Sequence, residues 1–160
     1  MSEPTRARYP DEEGWVVDDH GVEVFYEVCG ESPDAVCMVP PWALMNSRLW
    51  RLQVPYLARH FRVIAIDPRG NGRSDPPARR EAYSRAAHVR DVIAVLDAVG
   101  IEEAMMISAS PRGALLLALC VEHSERVRAV SSSRHRYGSR RGSRGHLCRT
   151  SASATRGWRR

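Results

Sequence analysis

Residues 104–121 constrain this chain more than any other stretch. Ala104-Met105-Met106-Ile107 has the make-up of a short buried strand, and Ser108-Ala109-Ser110-Pro111-Arg112-Gly113 interrupts it with small and turn-forming residues. Ala114 to Val121 is then apolar without a break. The pattern predicts a strand that turns sharply into a helix, with Ser110 at the turn. A serine held at such a turn points its hydroxyl away from the backbone, which makes Ser110 a candidate nucleophile. The next residue normally lends its backbone N–H to the developing oxyanion, but Pro111 has no N–H to lend.

The rest of the chain supplies a frame for that turn. Gly14-Trp15-Val16-Val17 and Val22 to Val28 read as two strands around a turn at Asp18 to Gly21. Ala35-Val36-Cys37-Met38-Val39 is a continuous apolar run closed by Pro40-Pro41, as expected of a strand buried on both faces. Ser47 is expected to cap a helix carrying Leu49, Trp50 and Leu52, and Pro55 either kinks that helix or opens a second piece. Arg62 to Asp67 is another buried strand, followed by a turn-rich loop from Pro68 to Pro77. Val89, Val92, Ile93, Leu96 and Val99 recur at helical spacing, and Gly100 ends that helix. Strands and helices in alternation predict an α/β fold: a mostly parallel sheet flanked by helices, opened by an antiparallel hairpin.

Charge divides the chain in two. Residues 131–160 carry nine arginines and no acid, whereas residues 1–130 carry 15 arginines against 19 acids. Residues 1–13 are expected to be a flexible N-terminus, 14–130 the folded unit, and 131–160 a disordered Arg/Ser-rich tail. Such a tail could attract nucleic acid or another acidic partner, but solvated charge is the simpler reading, so nucleic acid is not the expected partner. Cys29, Cys37, Cys120 and Cys148 show no metal spacing and are expected to be free thiols in a cytoplasmic protein with no metal and no cofactor. No run approaches membrane-spanning length, and no membrane partner is expected.

In order along the chain, the hairpin, the apolar strand ending in a proline turn, the Trp50 segment, the Asp67-Pro68-Arg69-Gly70-Asn71-Gly72-Arg73-Ser74 loop and Glu122-His123-Ser124-Glu125-Arg126-Val127 resemble the α/β-hydrolase family, in the esterase, lipase and epoxide-hydrolase style. The resemblance spans residues 14–130 and implies the N-terminal half of that fold, with sheet order 1-2-4-3-5-6-7-8. It implies a small-molecule substrate, Ser110 as nucleophile and the Trp42 N–H as one oxyanion donor. Where the family has G-x-S-x-G this chain has Ser108-Ala109-Ser110-Pro111-Arg112, a degenerate form of the elbow; anchored instead on Gly113 as the final glycine, the nucleophile slot holds Pro111.

The family takes its acid and then its histidine from later strands, so the resemblance implies an enzyme impaired in this form. His135 and His146 lie in the tail, and His20, His60, His88 and His123 sit in turn or helix contexts without a catalytic role. Asp67 and Ser74 read as loop-shaping residues, and Gly70-Asn71-Gly72 alone makes no nucleotide site. The resemblance also puts the strand at 104–109 near an open edge, a route to self-association. The change of character near Val130 fits a slipped reading frame: Ser131 to Arg136 can be encoded by TCT-TCA-TCG-CGC-CAC-CGG, which with a preceding G, shifted back by one base, reads Val-Phe-Ile-Ala-Pro-Pro.

Overall fold

The computed structural model describes residues 8–39, 45–109, 113–133 and 147–148. Their strands form one sheet. β1 (Glu12–Val17) and β2 (Glu23–Cys29) make the expected hairpin, turned at Asp18, whose Oδ1 accepts from the N–H groups of His20 and Val22 at 2.8 and 3.0 Å. β2 pairs antiparallel with β4 (Arg62–Ile66). β3 (Ala35–Met38) lies between β4 and β5 (Ala104–Ala109), parallel to both. All four β3 residues are buried, which is why that run has no polar alternation.

β6 (Val127–Ser133) continues the parallel set, and β7 (Leu147–Cys148) adds a two-residue antiparallel pairing at Val130 and Ser131. The order β1-β2-β4-β3-β5-β6-β7 matches the order that the family resemblance implies through its sixth strand. β5 is not at the edge, however, because β6 pairs with it from Ala104 to Ala109. β6 reaches that far by running three residues past Val130. A ladder is a backbone interaction, so Ser131 to Ser133 can extend it without apolar side chains.

Helices cover both faces. α2 (Arg85–Ala98) is capped by Ser84, whose Oγ accepts from Ala87 N–H at 3.3 Å, and ends at Gly100 with φ +67°. α2 and α3 (Gly113–Glu122) bury Val89, Val92, Leu96, Leu115 and Leu119 against Cys37, Ile64 and Met106. Trp50 and Ala58 cover Val36, Met38 and Val63 on the opposite face. That cover is two pieces, a 3-10 turn at Ser47–Trp50 and α1 (Val54–Leu57), with Pro55 in the first turn of the second piece. The cap of the first piece is Asn46 rather than Ser47: Asn46 Oδ1 accepts from Arg48 N–H at 3.1 Å, while the Ser47 N–H is taken by Asp67. Among the described residues no helix is long and apolar enough to cross a membrane.

Candidate active site

Because β3, β4, β5 and β6 are parallel, their carboxyl ends meet at one end of the sheet, where open α/β sheets place their crevices. β3 and β5 are neighbours there: Met38 pairs with Ile107, and Val39 N–H donates to Ile107 O at 2.9 Å. Residues 40–44 follow β3 and residues 110–112 follow β5. Ser110, Pro111, Arg112 and Trp42 belong to those two segments and lie outside the described residues. The two segments therefore leave the sheet from adjacent strands, whose backbones stand about 4.8 Å apart in any ladder.

A rigid loop borders this end. At the tip of β4, Asp67 is buried, with Oδ1 accepting from Ser47 N–H at 2.6 Å and Oδ2 from Arg73 N–H at 2.9 Å. Ser74 Oγ donates to Asp67 O at 2.7 Å and accepts from Phe25 N–H at 2.8 Å, joining the loop to β2. The Arg73 guanidinium lies over the Phe25 and Trp15 rings, 4.0 and 4.8 Å from their centroids, and pairs with Glu13 at 2.9 Å. Asp67 and Ser74 shape the loop as their sequence context suggests.

Arg69 is the residue that sequence reasoning missed. Only 1% exposed, its Nε and Nη2 donate to Asp91 at 2.9 and 2.5 Å, Nη2 donates to Asp18 at 3.1 Å, and Nη1 donates to Ala82 O at 2.9 Å. The bond to Asp91 raises the Arg69 pKa against the opposing effect of burial. Burial pushes the Asp91 carboxyl above its ordinary range, and the guanidinium offsets only part of that rise. For Asp18, burial works upward, but the Val22 and His20 N–H groups together with Arg69 hold the carboxyl below its usual value. One signal was available in the sequence: Asp91 sits between Val89 and Val92 on the face of α2 that packs inward.

Ser108 shares the inward face of β5 with Ala104 and Met106, where the family's elbow places its first glycine. It is 2% exposed, and its Oγ has no hydrogen-bond partner among the described residues. A buried hydroxyl without a partner costs about 1–3 kcal/mol. Ser108→Ala is therefore expected to stabilise the fold by about 1–2 kcal/mol, measured as a higher urea midpoint at unchanged slope. A lower midpoint would show that the hydroxyl is satisfied.

The described histidines are scattered. His88 is buried on α2 with Nδ1 3.8 Å from Asp91, His123 faces Glu125, and His60 stacks edge-on against Tyr56. Among the described residues no group of three or more His, Cys, Asp or Glu side chains could hold a metal ion. Cys29, Cys37 and Cys120 are in no disulfide among the described residues, and burial pushes the Cys37 thiol up to about 12, so it is a poor nucleophile. A groove of about 560 Å³ lined by Gly30, Ser32, Arg62 and Gly100 lies at the opposite end of the strands, away from this site.

The sheet order, the adjacent β3 and β5 ends and the Asp67–Ser74 loop can be set beside known proteins. The family profile described as alpha/beta hydrolase fold matches residues 34–134. The chain belongs to the α/β-hydrolase fold family. Bifunctional epoxide hydrolase 2 of Sus scrofa is 34% identical over 122 residues, covering 74% of this chain and 21% of the relative. A 2-hydroxymuconate semialdehyde hydrolase from Pseudomonas sp. (strain CF600) is 46% identical over 81 residues, covering 51% of this chain and 28% of the relative. Among solved structures, Est816, described as an N-acyl homoserine lactone degrading enzyme, superposes with a TM-score of 0.65 at 35% identity. That match covers 72% of this α/β-hydrolase chain and 44% of Est816. The chain thus spans a quarter or so of the curated relatives' length and under half of the structural neighbour's.

Proposed function

We propose that this α/β-hydrolase chain is a scaffold of esterase-like ancestry for a small-molecule substrate, impaired as a catalyst on its own. In this reading Ser110 attacks an ester-like carbonyl, the Trp42 N–H holds the oxyanion, and the serine proton passes to a base that is none of the described histidines. The observation that supports the reading is the Val39–Ile107 hydrogen bond, which sets side by side the two strand ends that precede Trp42 and Ser110 in the sequence. Nucleophile and oxyanion donor must converge on one carbonyl, and adjacent strand ends are where two segments can do so. One feature supports impairment: Pro111 removes one donor.

The test is hydrolysis of p-nitrophenyl acetate by the purified chain, with and without imidazole as an external base. Turnover is expected to be near background without imidazole and to rise with it above the rate of imidazole alone, and Ser110→Ala is expected to return it to that of imidazole alone. Brisk serine-dependent cleavage without imidazole would overturn the impairment. Cleavage above the rate of imidazole alone that survives Ser110→Ala would remove Ser110 as the nucleophile.

A further inference from the structure

We propose that residues 45–60 form a docking surface for an anionic lipid bilayer, on which the chain lies by this side without crossing. Helix-like backbone bonds run through the segment: Leu49 N–H to Asn46 O at 3.2 Å, Gln53 N–H to Trp50 O at 2.9 Å, Ala58 N–H to Val54 O at 2.9 Å and Phe61 N–H to Leu57 O at 2.9 Å. Its side chains therefore divide between two sides at a spacing of about three to four residues. Trp50, Val54, Leu57, Ala58 and Phe61 pack onto the sheet. The outward set repeats at the same spacing. Leu49, Leu52 and Tyr56 are exposed, Leu52 by 73% and Tyr56 by 63%, and Met45 extends the set.

A surface helix normally turns polar side chains outward, so apolar side chains on both sides call for a partner on the outer one. The charge around them says which. No acid occurs between Asp34 and Asp67, and Arg48, Arg51 and Arg59 are exposed among the outward apolar side chains. None of the three pairs with a carboxylate among the described residues, whereas Arg62, Arg73, Arg126 and Arg128 each do. Unneutralised cations set among exposed leucines and a tyrosine fit an interface that is anionic at its surface and apolar just beneath. Arginine stems run along the apolar layer with the guanidinium at headgroup level, and a tyrosine offers its ring to the acyl chains and its hydroxyl to water. His60 steadies the Tyr56 ring, edge-on with centroids 5.8 Å apart. Shape points the same way. The segment is an outer layer on the sheet, so its outward side is a ridge, which a fluid surface accommodates and a rigid protein would meet only with a matching groove. The sequence lacks an apolar run long enough to span a bilayer, but lying on one needs only an exposed apolar stripe. The inference goes beyond the reaction proposed above and involves neither Ser110 nor Trp42.

Flotation of the full chain with vesicles tests this for the wild type, Arg48→Gln/Arg51→Gln/Arg59→Gln and Leu52→Ser/Tyr56→Ser. The vesicles are phosphatidylcholine alone, or about three parts phosphatidylcholine to one part phosphatidylserine. The wild type is expected to bind the phosphatidylserine vesicles about 10-fold or more tighter than phosphatidylcholine alone. On them the triple variant is expected to lose on the order of 100-fold in affinity, about fivefold per arginine. The double variant is expected to lose about 10- to 100-fold, from two apolar side chains no longer inserted. The altered side chains are exposed, so both variants are expected to keep the wild-type urea midpoint. The nine arginines of residues 131–160 can also attract an anionic surface, and amide hydrogen exchange on the vesicles separates the two. Exchange at 48–60 is expected to slow on binding, with β1 and β2 unchanged. No binding by the wild type, binding kept by both variants, or unchanged exchange at 48–60 would overturn the inference. So would poly-glutamate binding without vesicle binding, which assigns the ridge to an acidic protein, or a dimer that Leu52→Ser/Tyr56→Ser dissociates, which assigns it to a second copy.

Discussion

Arg69→Met is expected to cost about 3–5 kcal/mol of stability, enough to unfold much of a marginal domain. The reason is what the substitution leaves behind rather than what it removes. Arg69 is 1% exposed and reaches Asp91, Asp18 and Ala82 O with its guanidinium. Without it, the Asp91 carboxylate, 5% exposed in its side chain, is buried with no cation at 2.5 Å. Asp18 suffers less, because its Oδ1 still accepts from His20 and Val22. Ala82 O loses the Arg69 donor. The double variant Arg69→Met/Asp91→Leu removes the charge together with its partner and is expected to recover most of the loss, since apolar replacement of a whole buried pair is often neutral. Urea denaturation of the two variants decides it. A single variant within about 1 kcal/mol of the wild type would mean that water reaches Asp91 and the network is worth no more than a surface pair.

This network also shows where the sequence stopped being legible. Asp18, Arg69 and Asp91 lie in a hairpin turn, a loop and a helix, and each reads there as an ordinary polar residue. Their meeting is a property of the sheet order, which brings the β1–β2 turn to the carboxyl end of β4. What repeats locally was readable: the unbroken apolar run of β3 and the helical spacing of α2 name their elements correctly. What depends on a distant partner was not. Asn46 rather than Ser47 caps the 3-10 turn while Asp67 takes the Ser47 N–H, and Ser131 to Ser133 join a strand because β5 offers them a ladder. The site is the converse case. Asp67 and Ser74 are legible as loop formers and are placed in detail, whereas Trp42 and Ser110 rest on the sequence motif and on the strand ends that flank them.

Placed together, these features divide the chain's inheritance in two. The parts that would frame the proposed site are adjacent β3 and β5 ends, a stapled loop after β4, and a glycine at 72 that admits the Asp67 carboxylate. The parts that would do chemistry depart from the family's pattern at single residues, with Ser108 where a glycine is usual, Pro111 where a donor is needed and Arg112 where the closing glycine would stand. Positioning groups also contribute to stability, so they persist for folding reasons even when turnover is not maintained. A reacting group has no such second role.

That difference gives the prediction with the largest effect on activity. Pro111→Gly is expected to raise Ser110-dependent, imidazole-assisted cleavage of p-nitrophenyl acetate about 100- to 1000-fold, the contribution of one oxyanion donor. Proline lacks the N–H in any conformation, so the deficit does not depend on how the turn is arranged. Glycine supplies the donor, and its backbone accepts whatever φ the turn requires. The gain should appear in kcat with KM unchanged, because the new bond strengthens only as charge develops on the carbonyl oxygen. Adding Ser110→Ala to Pro111→Gly should return the rate to that of imidazole alone, which separates restored catalysis from a general opening of the turn. If Pro111→Gly changes the serine-dependent rate less than about threefold, the residue after Ser110 does not face the oxyanion, and Ser110 is not seated as the family's nucleophile is.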